Sequence, residues 1–199
     1  MKSSYRFYKG CYRLSRAVIG IFYRFEIVGA ENIPDGAAMI CANHTSNIDP
    51  FFIAFAFGIK RHMHMIAKAE LFRIPVISAI LRKLGMISVD RETTDVATIR
   101  ATLSYLKKGE KVAIFPEGTR VTEKHSATPK IGAIKLAEHA GAAIIPVHVP
   151  AKKPLFRKMR IVIGTPYIIE KSVNKRIYDD YEQLTKALME KIQSLSTKY

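Results

Sequence analysis

A histidine and an aspartate stand five residues apart in the segment Asn43-His44-Thr45-Ser46-Asn47-Ile48-Asp49. On a continuous helix the side chains of His44 and Asp49 would point about 140° apart, since each residue turns the helix by about 100°. The two side chains can therefore meet only across a loop. An acid that fixes the tautomer of an imidazole leaves the other ring nitrogen free to act as a base near neutral pH.

The flanking residues predict such a loop. Residues 37–42 are an apolar run typical of a buried strand, and Pro50 suits the first position of a helix that runs to about residue 59. Asp49 would be the N-cap of that helix. Each member of the pair also has a purely structural interpretation, Asp49 as a helix cap and His44 as a solvated loop histidine. The pair gains weight only from the motifs further along the chain.

A second group of chemically capable residues is Phe115-Pro116-Glu117-Gly118-Thr119-Arg120, which comes after a predicted buried strand. Glycine permits close approach of the backbone to a ligand, and the arginine guanidinium suits phosphate oxygens. Taken alone, this segment is also an ordinary turn. Lys68 and Arg91 stand at the ends of two other predicted strands, where plain solvation is the alternative.

The elements that must hold these residues alternate between strands and helices. Apolar runs predict strands, and helical spacing predicts helices; the strands are 37–42, 62–67, 86–89, 111–115, 143–149 and 159–163, and the helices are 50–59, 94–108, 129–140 (with Thr128 as its cap) and one from about 175. This alternation predicts an α/β fold with a mixed, largely parallel sheet flanked by helices. Sites in such sheets lie beyond the carboxyl ends of the strands, where His44 and the loop after Phe115 would meet.

Composition limits the partners. The 199 residues suit one domain, and a formal net charge of +15 indicates a polyanionic partner such as nucleic acid, an anionic membrane or a phosphorylated substrate. Cys11 and Cys41 are the only cysteines, too few for a disulfide framework or a thiolate zinc site. This fits a reduced, cytoplasmic setting.

The first 25 residues are predicted to form a basic amphipathic helix that docks on a membrane, and residues 26–199 to form the α/β domain. One face carries apolar residues and another carries lysine and arginine, with tyrosines between; the apolar ones are Phe7, Cys11, Leu14, Val18, Ile21, Phe22 and Phe25. Gly10 and Gly20 could divide the helix in two. The alternative is a surface helix whose apolar face packs on the core. No segment is apolar over the roughly 20 residues that a membrane span needs.

The motifs together resemble the glycerolipid acyltransferase family, and in particular its members that acylate lysophosphatidate. The resemblance covers roughly residues 25–165 and rests on Asn43-His44 with Asp49, Ala67-Lys68-Ala69-Glu70-Leu71-Phe72, residues 85–91, the Phe115 to Arg120 motif, and Ile145-Pro146-Val147. Val121 is a departure, because the family often has serine there. The resemblance implies a membrane-docking helical segment before an α/β domain, as the amphipathic pattern indicates independently.

Roles come from the resemblance residue by residue. His44 would remove the proton from the sn-2 hydroxyl of a lysophospholipid, and Asp49 would orient His44. The oxygen would attack an acyl thioester directly, without an acyl-enzyme, to give phosphatidic acid for phospholipid biosynthesis. The acceptor's glycerol phosphate would be held by Glu117, Gly118, Thr119 and Arg120, with Lys68 and Arg91 as further candidates for its phosphate.

The resemblance also implies partners and location. It predicts no cofactor and no metal; the acyl donor is acyl-CoA or acyl carrier protein, both anionic, and the acceptor is a lysophospholipid. The expected place is the cytoplasmic face of the cell membrane, as a peripheral or monotopic protein, with no nucleic-acid partner.

Other functions are compatible with parts of the sequence. Another lysolipid could be the acceptor, and the positive charge alone would suit a non-enzymatic nucleic-acid binder or membrane adaptor. His62-Met63-His64 places two histidines on one face of a strand, which would suit a metal hydrolase, but a third ligand is not evident.

Overall fold

The computed structural model of the protein describes residues 2–90, 95–122, 126–170 and 178–197. Strands and helices alternate along these residues, as the sequence predicts. The strands are β1 (Arg24–Val28), β2 (Ala38–Ala42), β3 (Met63–Lys68), β4 (Ile87–Val89), β5 (Lys111–Ile114), β6 (Ala143–His148) and β7 (Lys158–Ile163). The α-helices are α1 (Lys2–Phe22), α2 (Asp49–Phe57), α3 (Pro75–Lys83), α4 (Val96–Lys107), α5 (Gly132–Ala140) and α6 (Tyr178–Ser194).

The strands form one seven-stranded sheet in the order β1-β7-β6-β2-β5-β3-β4. The five strands from β6 to β4 in this order are parallel, and β7 pairs antiparallel with β6, while β1 pairs parallel with β7. The predicted fold class, α/β with a mixed, largely parallel sheet, is confirmed. Because β2, β3, β4, β5 and β6 run the same way, their carboxyl ends share one edge of the sheet.

Helices cover both faces of the sheet, which explains why β2 is apolar throughout. Ile40 and Ala42 face a buried cluster that includes Phe52 and Phe57 of α2. Met39 and Cys41 point to the opposite cluster, which contains residues of α4, α5 and α6. Side chains alternate between the faces of a strand, and a central parallel strand is buried on both. The loop after β2 therefore starts from the most deeply buried strand of the molecule.

Several details differ from the predictions. The structure adds β1 and α3, which the sequence patterns did not predict. β1 lies at a sheet edge and alternates charged with apolar residues, and Glu26 forms ion pairs with Arg160 (2.8 Å) and Lys158 (3.2 Å) on β7. None of the residues of α3 is buried; its apolar residues Val76 and Ile80 stand at helical spacing but are exposed.

The helix boundaries also move. α1 continues through Gly10 and Gly20 and ends at Phe22, because Arg24 already pairs in the sheet. α5 begins at Gly132, three residues after the predicted start at Pro129, with Ile131 rather than Thr128 at its N-cap. The backbone N–H of Lys130 instead donates to the carbonyl of Pro116 (2.7 Å), which ties the segment before α5 to the loop after β5.

None of the helices in the described part of the chain combines the length and the apolarity needed to cross a bilayer.

Candidate active site

His44 and Asp49 meet across the loop between β2 and α2. Nδ1 of His44 lies 3.0 Å from Oδ2 of Asp49, so the predicted contact is confirmed. The predicted N-cap role of Asp49 is wrong: Ile48 occupies the N-cap, and Asp49 is the first residue of α2. Its carboxylate turns back into the loop, where Oδ2 accepts the backbone N–H groups of Thr45 and Ser46 at 2.7 Å each. These bonds to the loop orient the carboxylate toward the imidazole.

The pKa of Asp49 lies below its usual value although the residue is fully buried. Burial raises this pKa, but the hydrogen bond with His44 and the positive charge of Lys153 outweigh it. Asp49 is therefore ionised at neutral pH. A carboxylate facing Nδ1 keeps the proton of a neutral imidazole on that nitrogen and leaves Nε2 as the basic atom.

The backbone of His44 is held by the loop after β5. Its N–H donates to Oε2 of Glu117 (2.6 Å), and its carbonyl accepts the N–H of Val121 (2.8 Å). The imidazole stacks on the ring of Phe115, with the ring centres 4.0 Å apart. Among the described residues, none forms a hydrogen bond with Nε2 of His44. The loop thus fixes the ring while Nε2 remains available.

Asn43 ties the same loop to β6. Its side-chain amide donates to the carbonyl of Val149 (2.8 Å) and accepts the N–H of Val149 (2.8 Å). This paired contact mimics one more step of the β2–β6 ladder beyond its last strand residue. The sequence carries no signal for this contact, because Val149 lies 106 residues from Asn43.

Glu117 is only 8% exposed, and its pKa is raised to about 7. Burial is the main cause; the nearby charge of Asp49 adds to it, and the hydrogen bond from His44 partly opposes it. The family resemblance predicts that Glu117 helps to hold the acceptor's glycerol phosphate. In the structure, one oxygen of its carboxylate supports His44.

The rest of the Phe115 to Arg120 motif forms the turn predicted for it. Gly118 donates to the carbonyl of Phe115 (2.9 Å) and has φ +68°, a left-handed conformation that favours glycine. Thr119 is half-buried and Arg120 is exposed. Since Val121 is bonded to the backbone of His44, this turn lies beside the histidine.

Of the two more distant candidates, the structure describes Lys68, which it does not bring to His44. Lys68 ends β3 at the same edge of the sheet, but it is exposed and pairs with Glu70 at 2.8 Å. β5 separates β3 from β2. Arg91 lies outside the described residues.

Lys153 is a site residue that the sequence pattern does not distinguish from the other members of its basic cluster, for which contact with lipid headgroups or an acidic acyl donor and plain solvation are the two interpretations. It belongs to a basic run after β6, yet its side chain is only 8% exposed, and Nζ lies 2.8 Å from Oδ1 of Asp49. Its neighbour Lys152 is exposed, as lysines usually are. Composition alone cannot distinguish the two.

A cleft of about 770 Å³ adjoins the loop after β5. It is lined by the last residues of β4 and β5, by residues of α4, α5 and α6, and by Phe115, Pro116 and Gly118 of the loop after β5. Its wall is largely apolar, with Ile66, Ile114 and Leu136 among the lining residues. The cleft therefore offers apolar volume close to the turn that carries Arg120.

The histidine pair on β3 is engaged within the protein. Nδ1 of His64 donates to the carbonyl of Gly85 (2.7 Å), Nε2 of His64 bonds Glu110, and Nε2 of His62 bonds the carbonyl of Leu84 (3.1 Å). Within the described ranges, no three His, Cys, Asp or Glu side chains converge as metal ligands would.

A buried His–Asp pair at the carboxyl edge of a mostly parallel sheet, beside the Phe115 to Arg120 turn, is an arrangement suited to general-base catalysis, and similarity to known proteins specifies the class. The chain belongs to the acyltransferase family, whose profile matches residues 24–150.

Relatives and a solved structure agree with this assignment. The chain is 30% identical to the 1-acyl-sn-glycerol-3-phosphate acyltransferase of Bacillus subtilis, over 96% of this chain and 98% of that protein. It is 34% identical to the enzyme of the same name from Pseudomonas aeruginosa, over 67% of this chain and 51% of that one. The crystal structure of the 1-acyl-sn-glycerophosphate (LPA) acyltransferase from Thermotoga maritima matches all of this chain and 80% of that one, with a TM-score of 0.65 and 22% identity. This last match shows the fold.

The lengths of the relatives differ. The chain spans nearly all of the Bacillus protein but about half of the Pseudomonas protein and 55% of a namesake from Borreliella burgdorferi.

Proposed function

We propose that this protein transfers a fatty acyl group from an acyl thioester to the sn-2 hydroxyl of 1-acyl-glycerol 3-phosphate, giving phosphatidic acid. The names of the relatives support this substrate, above all the Bacillus protein, which the chain matches over nearly its whole length. The contact between Nδ1 of His44 and the buried Asp49 carboxylate is the observation that carries the proposal.

The proposed chemistry needs one base. Nε2 of His44 takes the proton of the acceptor hydroxyl as its oxygen attacks the thioester carbonyl. The tetrahedral intermediate collapses, the C–S bond breaks, and the leaving thiolate takes the proton back from His44. Asp49 stabilises the transient imidazolium. General-base assistance of this kind contributes roughly 10²–10⁴ in rate.

The transfer proceeds directly, without an acyl-enzyme. Cys41 lies within β2, where burial raises the pKa of its thiol, so it is a poor nucleophile. The acyl donor is acyl-CoA or acyl carrier protein, and no further cofactor takes part.

The acceptor's phosphate is bound by the turn that contains Gly118, Thr119 and Arg120. Two observations support this role: Arg120 is exposed, and it directly precedes Val121, whose N–H is bonded to the carbonyl of His44. A guanidinium is well suited to phosphate oxygens. Glu117 contributes by holding His44 in place, and Lys68 and Arg91 remain candidates for a more distant contact with the headgroup.

Membrane contact is proposed for the exposed face of α1. Leu14 (69% exposed), Val18 and Ile21 (67% exposed) form an apolar row on the helix surface, flanked by basic residues. The opposite face of α1 packs on the protein through Tyr8 and Ile19. A row of large apolar side chains beside basic ones suits the surface of an anionic bilayer, here the cytoplasmic face of the cell membrane, where the acceptor resides.

The first experiment removes the base. His44→Ala is expected to lower kcat for acyl transfer by at least about 10²-fold while the far-UV circular dichroism and Tm stay near those of wild type. His139→Ala, on the exposed side of α5, is the matched control and should keep its activity. Near-normal turnover by the His44 variant would refute the mechanism.

The second experiment tests the phosphate contact. Arg120→Ala is expected to raise KM for 1-acyl-glycerol 3-phosphate about tenfold or more, because it removes a charge-assisted hydrogen bond, and to change the rate with an uncharged monoacylglycerol little. Arg100→Ala, exposed on α4, is the control. Equal losses with both acceptors would contradict the assignment.

A further inference from the structure

The side chain of Lys153 is a buried cation with a full set of acceptors. Nζ lies 2.8 Å from Oδ1 of Asp49 and donates to Oγ1 of Thr45 (2.7 Å) and to the carbonyls of Pro150 (2.6 Å) and Ala151 (3.4 Å). Buried lysines are rare unless they are paired, because removing the ammonium from water is costly. The surroundings of Lys153 are thus built to hold its charge.

The two oxygens of Asp49 have separate partners. Oδ2 receives Nδ1 of His44 and the backbone N–H groups of Thr45 and Ser46. Oδ1 faces Lys153. The ammonium therefore acts together with the backbone bonds to Oδ2 in fixing the rotation of the carboxylate that places Oδ2 against His44.

The contact between Lys153 and Asp49 also balances the charge of the site. Among the described residues, the charged or titratable groups around His44 include Asp49 from α2, Glu117 and the exposed Arg120 from the loop after β5, Lys153 from the loop after β6 and, beside Lys153, His148 of β6. Lys153 and ionised Asp49 cancel each other's charge. A buried carboxylate without its cation would instead hold an extra proton on the His–Asp pair, and a protonated imidazole is unable to accept the substrate's proton.

We propose that Lys153 is a positioning residue of the site, which holds the Asp49 carboxylate against His44 and balances its charge. This inference rests on the proposed function for its catalytic meaning, but its effect on the proton affinity of the His–Asp pair is independent of any substrate.

The experiment compares Lys153→Met with Lys153→Arg, which keeps the charge, and with Lys152→Met, which removes an exposed charge next in the chain. The titration of the His44 imidazole is monitored by NMR, with His44→Asn used to assign its signal. In Lys153→Met the pair should take up its proton at a pH higher by about one unit, equivalent to tenfold in proton affinity. Lys153→Arg and Lys152→Met should titrate as wild type does.

Activity gives the second readout. In Lys153→Met, the acid limb of the pH–rate profile should shift to higher pH together with the imidazole titration. In Lys153→Arg, the acid limb should lie at the same pH as in wild type. An unchanged titration in a folded Lys153→Met protein would overturn the proposal, even if activity were lost. If wild type shows no acyl transfer, the proposed function fails, while the titration still tests the role of Lys153.

If Lys153→Met does not fold, a double variant tests the proposal in its place. Asp49→Asn/Lys153→Met removes both buried charges and leaves a neutral pair, so it should fold if charge imbalance is the problem, and its imidazole should lack the upward shift. An upward shift in this double variant would overturn the proposal, because it would arise without the Asp49 charge.

Discussion

At the scale of single residues, Glu117 holds a proton that the unfolded chain would release. Burial raises its pKa to about 7, from an ordinary value of 4.5. Between these two values the folded state binds more protons than the unfolded state, so its stability falls as pH rises. The stability that Glu117 contributes is complete below pH 4.5, and it is lost as the pH rises through about 7.

This predicts the behaviour of Glu117→Gln, which cannot titrate but keeps a side-chain oxygen to accept the N–H of His44. From about pH 5 to about pH 8, the free energy of unfolding should fall less in the variant than in wild type. Urea denaturation at both pH values measures the difference. Glu190→Gln, exposed on α6, should behave as wild type does; parallel curves for wild type and Glu117→Gln would disprove the assignment.

The sequence reveals some of these residues because their chemistry is local. His44 and Asp49 are close in the chain, and the strand and proline between which they lie dictate a loop. Lys153 is different, because its partner Asp49 stands at the start of α2, distant in the chain, and only the order β6-β2 in the sheet brings the two residues near each other. Nothing in a basic run after a strand marks which lysine turns inward.

At the scale of elements, α1 has three faces rather than the two that the sequence pattern suggests. Tyr8 is only 7% exposed, its ring lies 4.5 Å from that of His62, and burial raises its pKa to about 12. Arg16, predicted to belong to the basic face, lies over the ring of Phe25 at 4.3 Å. The tyrosine side holds α1 on the protein, so the apolar row is left outside.

The exposed row predicts a separation of stability from membrane binding. Ile21→Ser should weaken binding to vesicles of phosphatidylcholine and phosphatidylglycerol by roughly tenfold, since a buried isoleucine contributes about 1.5–3 kcal/mol. The free energy of unfolding should change by less than about 0.5 kcal/mol, because Ile21 packs little in the fold.

Ile168→Ser is the matched control, since Ile168 is 61% exposed on the segment after β7. Flotation of both variants with wild type measures the effect. Equal binding of Ile21→Ser and Ile168→Ser would remove α1 from the proposed docking surface.

The spacing of apolar residues predicts that α1 is a helix. It does not predict which face of the helix packs on the rest of the protein. The largest apolar residues normally mark the buried face, and here tyrosines take that place. The position of a helix on the body depends on partners such as His62 and Phe55, which periodicity does not reveal.

At the scale of the whole molecule, the turn after β1 joins the edge strand to the rest of the sheet. Gly29 has φ +78°, and a Cβ there would lie 2.0 Å from the carbonyl oxygen of Ile163, the last residue of β7. The side-chain amide of Asn32 donates to that same oxygen at 2.8 Å. Any side chain at position 29 would push apart the β1–β7 pair.

Gly29→Ala is therefore expected to lower the free energy of unfolding by more than about 3 kcal/mol. Gly36→Ala is the matched control, because Gly36 has φ +86° but no atom within 4 Å of the added Cβ. Gly36→Ala should lower the free energy of unfolding by only about 1–2 kcal/mol, the cost of a left-handed backbone at a residue with a Cβ. Chemical denaturation measures both, and equal losses would mean that the close contact with Ile163 costs nothing.

The fold class was accessible from the sequence because the alternation of strands and helices is a local pattern. The order of the strands was not, since residues 24–28 reach β7 only after the chain has completed the rest of the sheet. β7 runs antiparallel to β6 because of the connection between them, residues 149–157. No pattern in the sequence predicts how this connection turns the chain.

The tyrosine side of α1 has one more consequence. A peptide that adsorbs to lipid as a helix must first become ordered, and that entropy weakens its adsorption. Here the ordering is already supplied by the body of the protein. Adding vesicles should therefore leave the far-UV dichroism spectrum unchanged, because α1 would reach the lipid with its helix complete and no coupled folding step.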